Sequence, residues 1–259
     1  MCIIVAGMSE IKIFPIFNQD APKIWDDFIR IRAAALEQKY NFPVTKDENN
    51  QVRQDLECYW RTREFNFAFG AYDADNMVGF TRGNCWYHTT TVHSLYILPE
   101  YQGSGIGRKL LTQVENISGF ETITIDLISL TYAVNFYRKM GYRPVYRNGL
   151  DASNEMFKRT PSLPKCTVLP IFYASPMIRS ECDKIATANH VTFKSKLINR
   201  GHVRGLVYVN DKSEIIGYGL QTADALPDIH VAPQSCVPYI KGRLEREFAR
   251  LAMMPQKTK

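Results

Sequence analysis

The chain predicts an α/β protein built as a layered first unit over residues 10–160 and a smaller C-terminal α/β unit over 165–259. Three observations carry this. Segments with period-two apolar alternation are interleaved with segments of helical period. A strand runs into a glycine-rich turn and then a helix across Leu95–Leu111. Finally, Thr160-Pro161-Ser162-Leu163-Pro164 reads as a linker, and the sequence beyond it echoes the part before.

Ile11–Phe14 reads as the first strand. Asp20 is expected to cap a helix beginning at Ala21-Pro22, with proline in the first turn. Ile24, Phe28, Ile31 and Ala35 then share one helical face. Asn41–Gln51 reads as a polar loop, followed by a second helix to about Arg61. Phe65–Phe69 and Met77–Tyr87 form strands around the turn at Tyr72–Asn76. Thr91–Leu98 is the strand before the glycine turn, and its alternation would group His93, Leu95 and Ile97. The next helix presents Ile106, Leu110, Leu111 and Val114. A strand at Ile123–Leu127, a helix at Thr131–Met140 stopped by Gly141, and a hairpin from Tyr142–Arg147 and Glu155–Lys158 complete the first unit.

In the second unit, Ile215-Ile216-Gly217-Tyr218 matches Met77-Val78-Gly79-Phe80, and Ile229–Pro233 matches Leu95–Pro99. Ile240–Leu251 reads as the following helix. Where the first unit has its glycines, this one has Cys236-Val237-Pro238-Tyr239, with no glycine and a proline lacking a backbone donor. The C-terminal unit is therefore read as a degenerate partial repeat, against the alternative of a generic strand–proline–helix pattern.

Glycines at 103, 105 and 107 let a turn gather backbone N–H groups at a helix N-terminus, where peptide dipoles favour an anion. The spacing excludes the nucleotide-triphosphatase loop, because no Gly-Lys-Ser/Thr follows. It also excludes the dinucleotide fingerprint, because Arg108 stands where the third glycine would be. What remains, Gln102-Gly103-Ser104-Gly105-Ile106-Gly107, resembles the Gln/Arg-x-x-Gly-x-Gly/Ala loop of the GCN5-related N-acetyltransferase (GNAT) family. Ala133-Val134-Asn135-Phe136-Tyr137 through Gly141-Tyr142 is similar to a second block of that family.

The resemblance implies the acyl-CoA N-acyltransferase fold, with a mixed central sheet flanked by helices, and acetyl-CoA as cosubstrate. It implies that Gln102, Gly103, Ser104, Gly105, Ile106, Gly107 and Arg108 hold the pyrophosphate. It further implies that the backbone at Ile97 and Leu98 pairs with the pantetheine arm, with the Leu98 N–H polarising the thioester oxygen. Leu130 departs from the family, which often has a cofactor-binding Asn there, and Ser129 is the substitute.

Direct acyl transfer needs a neutral amine, a polarised carbonyl and a proton for the departing thiolate. Tyr137 matches the family tyrosine placed beside the sulfur and is the candidate acid. The other reading is an aromatic packing pair with Phe136. His93 is the candidate base, since its strand has no carboxylate between Thr89 and Pro99. His88 is a weaker alternative, and Glu100 is expected beyond the acceptor site. His93 as a core histidine and Arg108 as a plain exposed helix charge also stay open.

The acceptor is expected to be a primary amine of a small molecule or peptide, bound between about Tyr40–Trp60 and Tyr142–Asn154. There Asp47, Glu48, Asp55 and Glu57 either attract a cationic amine or form a solvated face. The alternatives to an enzyme are a non-catalytic acyl-CoA sensor and an interaction protein with an inherited fold.

Composition narrows the classes further. An apolar content of 45% supports a buried core, and no eighteen-residue apolar run predicts a membrane span. Six scattered cysteines without a Cys-x-x-Cys pair point to neither zinc nor a disulfide framework, and to a reducing, cytoplasmic setting. A net charge of +6 suits a polyanionic cosubstrate, while the absence of arginine-rich runs disfavours nucleic acid. Homodimerisation is left open.

Overall fold

The computed structural model describes residues 10–254, apart from 18–19, 21, 23, 42, 63–65, 87–88, 120–123, 130, 148–149, 201, 223–224 and 234. Its first sheet has seven strands in the order β1-β2-β3-β4-β5-β7-β6. These are β1 (Lys12–Pro15), β2 (Asn66–Asp73), β3 (Asn76–Trp86), β4 (Thr89–Ile97), β5 (Thr124–Ile128), β6 (Arg143–Arg147) and β7 (Leu150–Arg159). Only β4 and β5 pair in parallel, so the sheet is mixed. Helices α1 (Trp25–Tyr40) and α2 (Lys46–Thr62) join β1 to β2. Helix α3 (Ile106–Ser118) crosses from β4 to β5, and α4 (Val134–Lys139) follows β5.

The second sheet has four antiparallel strands in the order β11-β10-β9-β8. They are β8 (Thr167–Ile171), β9 (Arg204–Val209), β10 (Ile215–Gln221) and β11 (Asp228–Val231), with α5 (Pro176–Ala188), α6 (Ser195–Asn199) and α7 (Val237–Ala252). The order β-α-α-β-β-β-α repeats that of β1 through α3, and among the described residues no counterpart to β5, β6 and β7 follows α7.

The repeat extends to register. Gly79 faces Ile97 as Gly217 faces Val231. Both β-hairpins carry a bulge at the same place, between Ala71 and Tyr72 opposite β3 in one sheet and between Ile215 and Gly217 in the other. In each bulge a carbonyl is turned outward and accepts the next strand's terminal N–H. Val78 accepts from Leu98 at 2.9 Å, and Ile216 accepts from Ala232 at 2.9 Å. The echo between Met77–Phe80 and Ile215–Tyr218 thus marks structurally equivalent residues. A second echo, Pro15-Ile16-Phe17 against Pro170-Ile171-Phe172, occupies equivalent ends of β1 and β8, with Pro15 opposite Phe69 and Pro170 opposite Leu206. That repeat was visible in the sequence and is absent from the reading above.

One core cluster joins the two units, and the second unit has another of its own around Ile171, Ile178 and Val207. Ile240, Leu244, Phe248 and Leu251 on the buried face of α7 join the cluster that contains Phe14, Phe69 and Leu111. Phe172 packs between Phe17 (5.3 Å) and Phe69 (5.4 Å). Arg250 lies over the Phe14 ring at 4.8 Å and donates to the Ile13 carbonyl at 3.0 Å.

Two local expectations are corrected. Asp20 does not cap α1, which starts at Trp25 behind Ile24. Its buried carboxylate instead receives Nη2 and Nε of Arg204, at 2.9 and 3.3 Å. A carboxylate held by a buried guanidinium satisfies two charges that neither unit could bury alone. The polar loop is also shorter than expected, because α2 begins at Lys46. Thr45 and Glu48 form a reciprocal capping box, Thr45 N–H to Glu48 Oε2 at 2.7 Å and Glu48 N–H to Thr45 Oγ1 at 3.2 Å.

Candidate active site

Strand β4 makes the site by outrunning its neighbour. Its parallel pairing with β5 ends at Val92 opposite Leu127, yet β4 continues to Ile97. The two strands splay there, and a cleft of about 430 Å³ opens along the free edge of β4. A bulge sits at the fork: Gly83 faces Val92 and Arg82 faces Ser94, leaving His93 as the extra residue. This interrupts the alternation expected to group His93 with Leu95 and Ile97. His93 is an exposed residue at the fork and borders the cleft with Leu95 and Ile97.

The pleat decides which backbone groups face the opening. Because Leu98 N–H donates back to Val78, it points away from the cleft and cannot polarise a ligand there. Leu98 is also buried and lies outside the cleft lining. Amides alternate along a strand, so the N–H groups of Ile97 and Leu95 face the open edge instead. The Ile97 carbonyl is on the same side, where it accepts Gln102 Nε2 at 3.1 Å.

At the end of the cleft the chain turns through Gly103 (φ 78°) and Gly105 (φ 86°), both left-handed, before α3 begins at Ile106. A side chain at either glycine would meet open space, so glycine is required here by backbone conformation and not by crowding. Gly107 differs, since a Cβ there would stand 3.1 Å from the Ile97 side chain and 3.3 Å from Phe136. It lets α3 approach β4 and α4. In the first turn of α3, Ile106, Gly107 and Arg108 have N–H groups with no intrahelical acceptor, and these sit at the positive end of the helix. Ser104 Oγ donates to the Tyr101 carbonyl at 2.5 Å and pins the turn. Gln102, Gly103, Gly105, Ile106, Gly107 and the exposed Arg108 all border the cleft, while Ser104 does not.

Tyr137 closes the opposite wall. It is 7% exposed, with Phe136 and Tyr142 packed edge-on at 5.0 and 5.8 Å. Burial raises its phenol well above the ordinary tyrosine value, helped by the nearby Tyr132 and Tyr96. The group therefore stays protonated and keeps a hydrogen to donate. Ile128, 77% exposed, and Tyr132 give the mouth an apolar rim, and Lys39 lies 4.1 Å over the Tyr132 ring. These rim residues are missing from the sequence reading. The signal for Ile128 was its place at the end of β5, one residue past the last pairing with β4.

Of the remaining candidates, Glu100 lies in the 3-10 turn Pro99–Tyr101, outside the cleft lining. Ser129 is buried. His88 and Leu130 fall outside the described residues. Glu48 is committed to the α2 cap, and its carboxyl is held below the usual range chiefly by the Thr45 hydrogen bonds. Among the described residues there is no cluster of three metal-ligating side chains and no helix long and apolar enough to cross a membrane.

Comparison with known proteins bears on this geometry. The family model for the acetyltransferase (GNAT) domain matches residues 64–144, which run from the end of α2 through the fork, the glycine turn and Tyr137. An uncharacterized protein of Mycobacterium leprae (strain TN) is 33% identical over 101 residues, 34% of this chain and 28% of that protein, so the chain spans under a third of that relative's length. Among solved structures, the PaiA N-acetyltransferase from Thermoplasma acidophilum in complex with coenzyme A is 19% identical with a TM-score of 0.47, covering 58% of this chain and 99% of that one. A GNAT-family acetyltransferase from Staphylococcus aureus Mu50 is 18% identical with a TM-score of 0.47, again over 58% and 99%. Over residues 64–144 the chain carries an acetyltransferase domain of the GNAT family.

Proposed function

We propose that the protein is an acetyl-CoA-dependent N-acetyltransferase that moves the acetyl group directly to a primary amine of a small molecule or peptide. The observation that carries this reading is the continuity of one cleft. It runs from the donor-rich turn at Gly103–Gly107, along the free N–H edge of Ile97 and Leu95, to the buried phenol of Tyr137. An anionic pyrophosphate suits the first, an amide-containing arm the second, and a sulfur leaving group the third.

In this reading the turn amides and Arg108 hold the pyrophosphate, and Ile97 N–H takes the polarising role first expected of Leu98. The acceptor nitrogen bonds to the acetyl carbon as the carbon–sulfur bond breaks. His93, at the fork, takes the proton released by the amine, directly or through water. Tyr137 donates a hydrogen bond to the departing sulfur. Its raised pKa makes it a weak acid, so it stabilises the developing thiolate and keeps its proton. No protein nucleophile is required, since ordering two bound substrates supplies much of the acceleration.

Residues 10–160 would form the catalytic domain and 165–259 an accessory one. The accessory unit packs on the β1 side of the first sheet, away from the fork. The test is titration of acetyl-CoA by calorimetry, followed by thiol release across polyamines, aminoglycosides, amino acids and peptide N-termini. Binding with release for one amine class is expected. Binding without release for any amine would favour a sensor, and no binding at high micromolar ligand would remove the reading.

A further inference from the structure

A second, smaller cavity of about 90 Å³ lies beneath α1 and α2, on the face of the first sheet that they cover. Its floor is the stacked pair Phe28 and Phe80, 4.1 Å apart. Its polar wall is Arg32 from α1, Arg82 from β3 and Asp55 from α2. Ser94 of β4, next to the bulge that carries His93, borders this cavity and the large cleft alike. Ala35, one turn further along α1 than Arg32, already borders the large cleft.

One donor of this pocket is unsatisfied. Nη1 of Arg32 is buried and has no hydrogen-bond partner among the described residues. Nearby acids are already engaged: Asp27 with Arg30 at 3.1 Å, Asp26 with Arg53, and Glu48, whose carboxyl the Arg32 charge helps hold low, with Thr45. A buried donor without a partner costs free energy unless something supplies the acceptor. The fork of a guanidinium matches a carboxylate in shape. The volume admits a few water-sized groups, enough for a carboxylate and its adjoining carbon.

We propose that this pocket binds a carboxylate of the acceptor, and that the acceptor is an amino acid or another amine bearing a carboxylate close to its nitrogen. The inference rests on the acetyl-transfer reading above and names its substrate class. With the carboxylate on Arg32 and Arg82, a nitrogen one carbon away lies toward Ser94 and the fork. Arg32 and Arg82 are thus specificity-determining residues. The aliphatic part of the acceptor would pass over Phe80 and Val52.

The test compares amines with and without the carboxylate, for example phenylalanine against phenethylamine, in thiol release with saturating acetyl-CoA. The wild-type protein is expected to prefer the carboxylate-bearing member by at least tenfold in kcat/KM. Arg32→Gln should cut that preference to within about twofold through KM, leave the KM for acetyl-CoA unchanged, and be partly rescued by Arg32→Lys. Equal use of both amines by the wild type, or a preference untouched by Arg32→Gln, overturns the proposal. Should acetyl-CoA bind while no amine reacts, titration with N-acetylphenylalanine decides. Binding weakened at least tenfold by Arg32→Gln and by Arg82→Gln upholds the carboxylate site even as the catalytic reading fails. Binding that is absent or insensitive to both variants ends it.

Discussion

The turn after β4 and the turn after β11 are one design executed with different residues. Both strands end on an N–H that donates into a bulge carbonyl, both continue with proline, and both turn on the same bond, Tyr101 N–H to Leu98 at 2.9 Å and Ser235 N–H to Ala232 at 3.0 Å. Ile106 follows Ile97 by nine positions, as Ile240 follows Val231, and each of these helix isoleucines approaches the matching glycine, Gly79 or Gly217. The turns part at three positions. Gly103 and Gly105 are left-handed on either side of Ser104, whereas Val237, Pro238 and Tyr239 are the first turn of α7. L-residues resist positive φ by roughly 1–2 kcal/mol each, so without glycine the helix starts three residues early. The space that stands open before Gly105 is given over to helix in the second unit, and Pro238 removes a donor. Among the described residues the second sheet has no strand beyond β11 and so forms no fork there. An anion cradle therefore depends on a few backbone angles that an otherwise matching frame does not supply.

Predictions can break this comparison, beginning with the most damaging. Gly105→Glu places a carboxylate against the pyrophosphate site on a backbone that disfavours it, and should weaken acetyl-CoA binding more than 100-fold by calorimetry. Unimpaired binding would show that the ligand sits elsewhere. Asp20→Ala leaves Arg204 buried without a counter-charge and should cost about 3–5 kcal/mol in denaturant unfolding. A loss under about 1 kcal/mol would mean that this pair does not couple the two units. Tyr137→Phe should lower kcat about 100-fold with little change in the KM for acetyl-CoA. The elevated phenol pKa adds a sign. The proton is retained to higher pH than in free tyrosine, so wild-type activity should show no decline from this group as pH rises through about 10. A falling limb there that vanishes in Tyr137→Phe would contradict the buried-donor role. Thr45→Ala, which removes the α2 cap, should cost about 1 kcal/mol in thermal unfolding. Tyr239→Glu is the control. At the position equivalent to Gly105 it should leave acetyl-CoA binding within twofold, and a strong effect would mean that the second turn takes part.

Much of this was legible in the chain because it depends on local chemistry. The glycine spacing, the Phe136-Tyr137 block and the Met77–Phe80 echo each depend on neighbours within a few residues, and the strands of the first unit lie close to where patterning placed them. The failures have physical causes too. Asp20 has the composition of a cap, but its partner Arg204 lies far along the chain. Leu98 is adjacent to Ile97, yet one step along a strand reverses the direction of an amide, and the bulge at Val78 claims it. Thr45 and Glu48 carried a readable capping box that a proline-containing polar stretch obscured. Arg32 and Arg82 are unremarkable until α1 is laid across β3.

By itself the sequence determined the alternation of strands and helices, the places where the backbone can turn left-handed, and the echo of Met77–Phe80 and Leu95–Pro99 after Pro164. These follow from steric limits and periodicity that act within a few residues. The tertiary structure alone decided how far β4 outruns β5, which amides face the resulting cleft, and how two arginines came to share a pocket beside it. Those outcomes come from register and from helix packing on the sheet, which bring together groups dozens of residues apart.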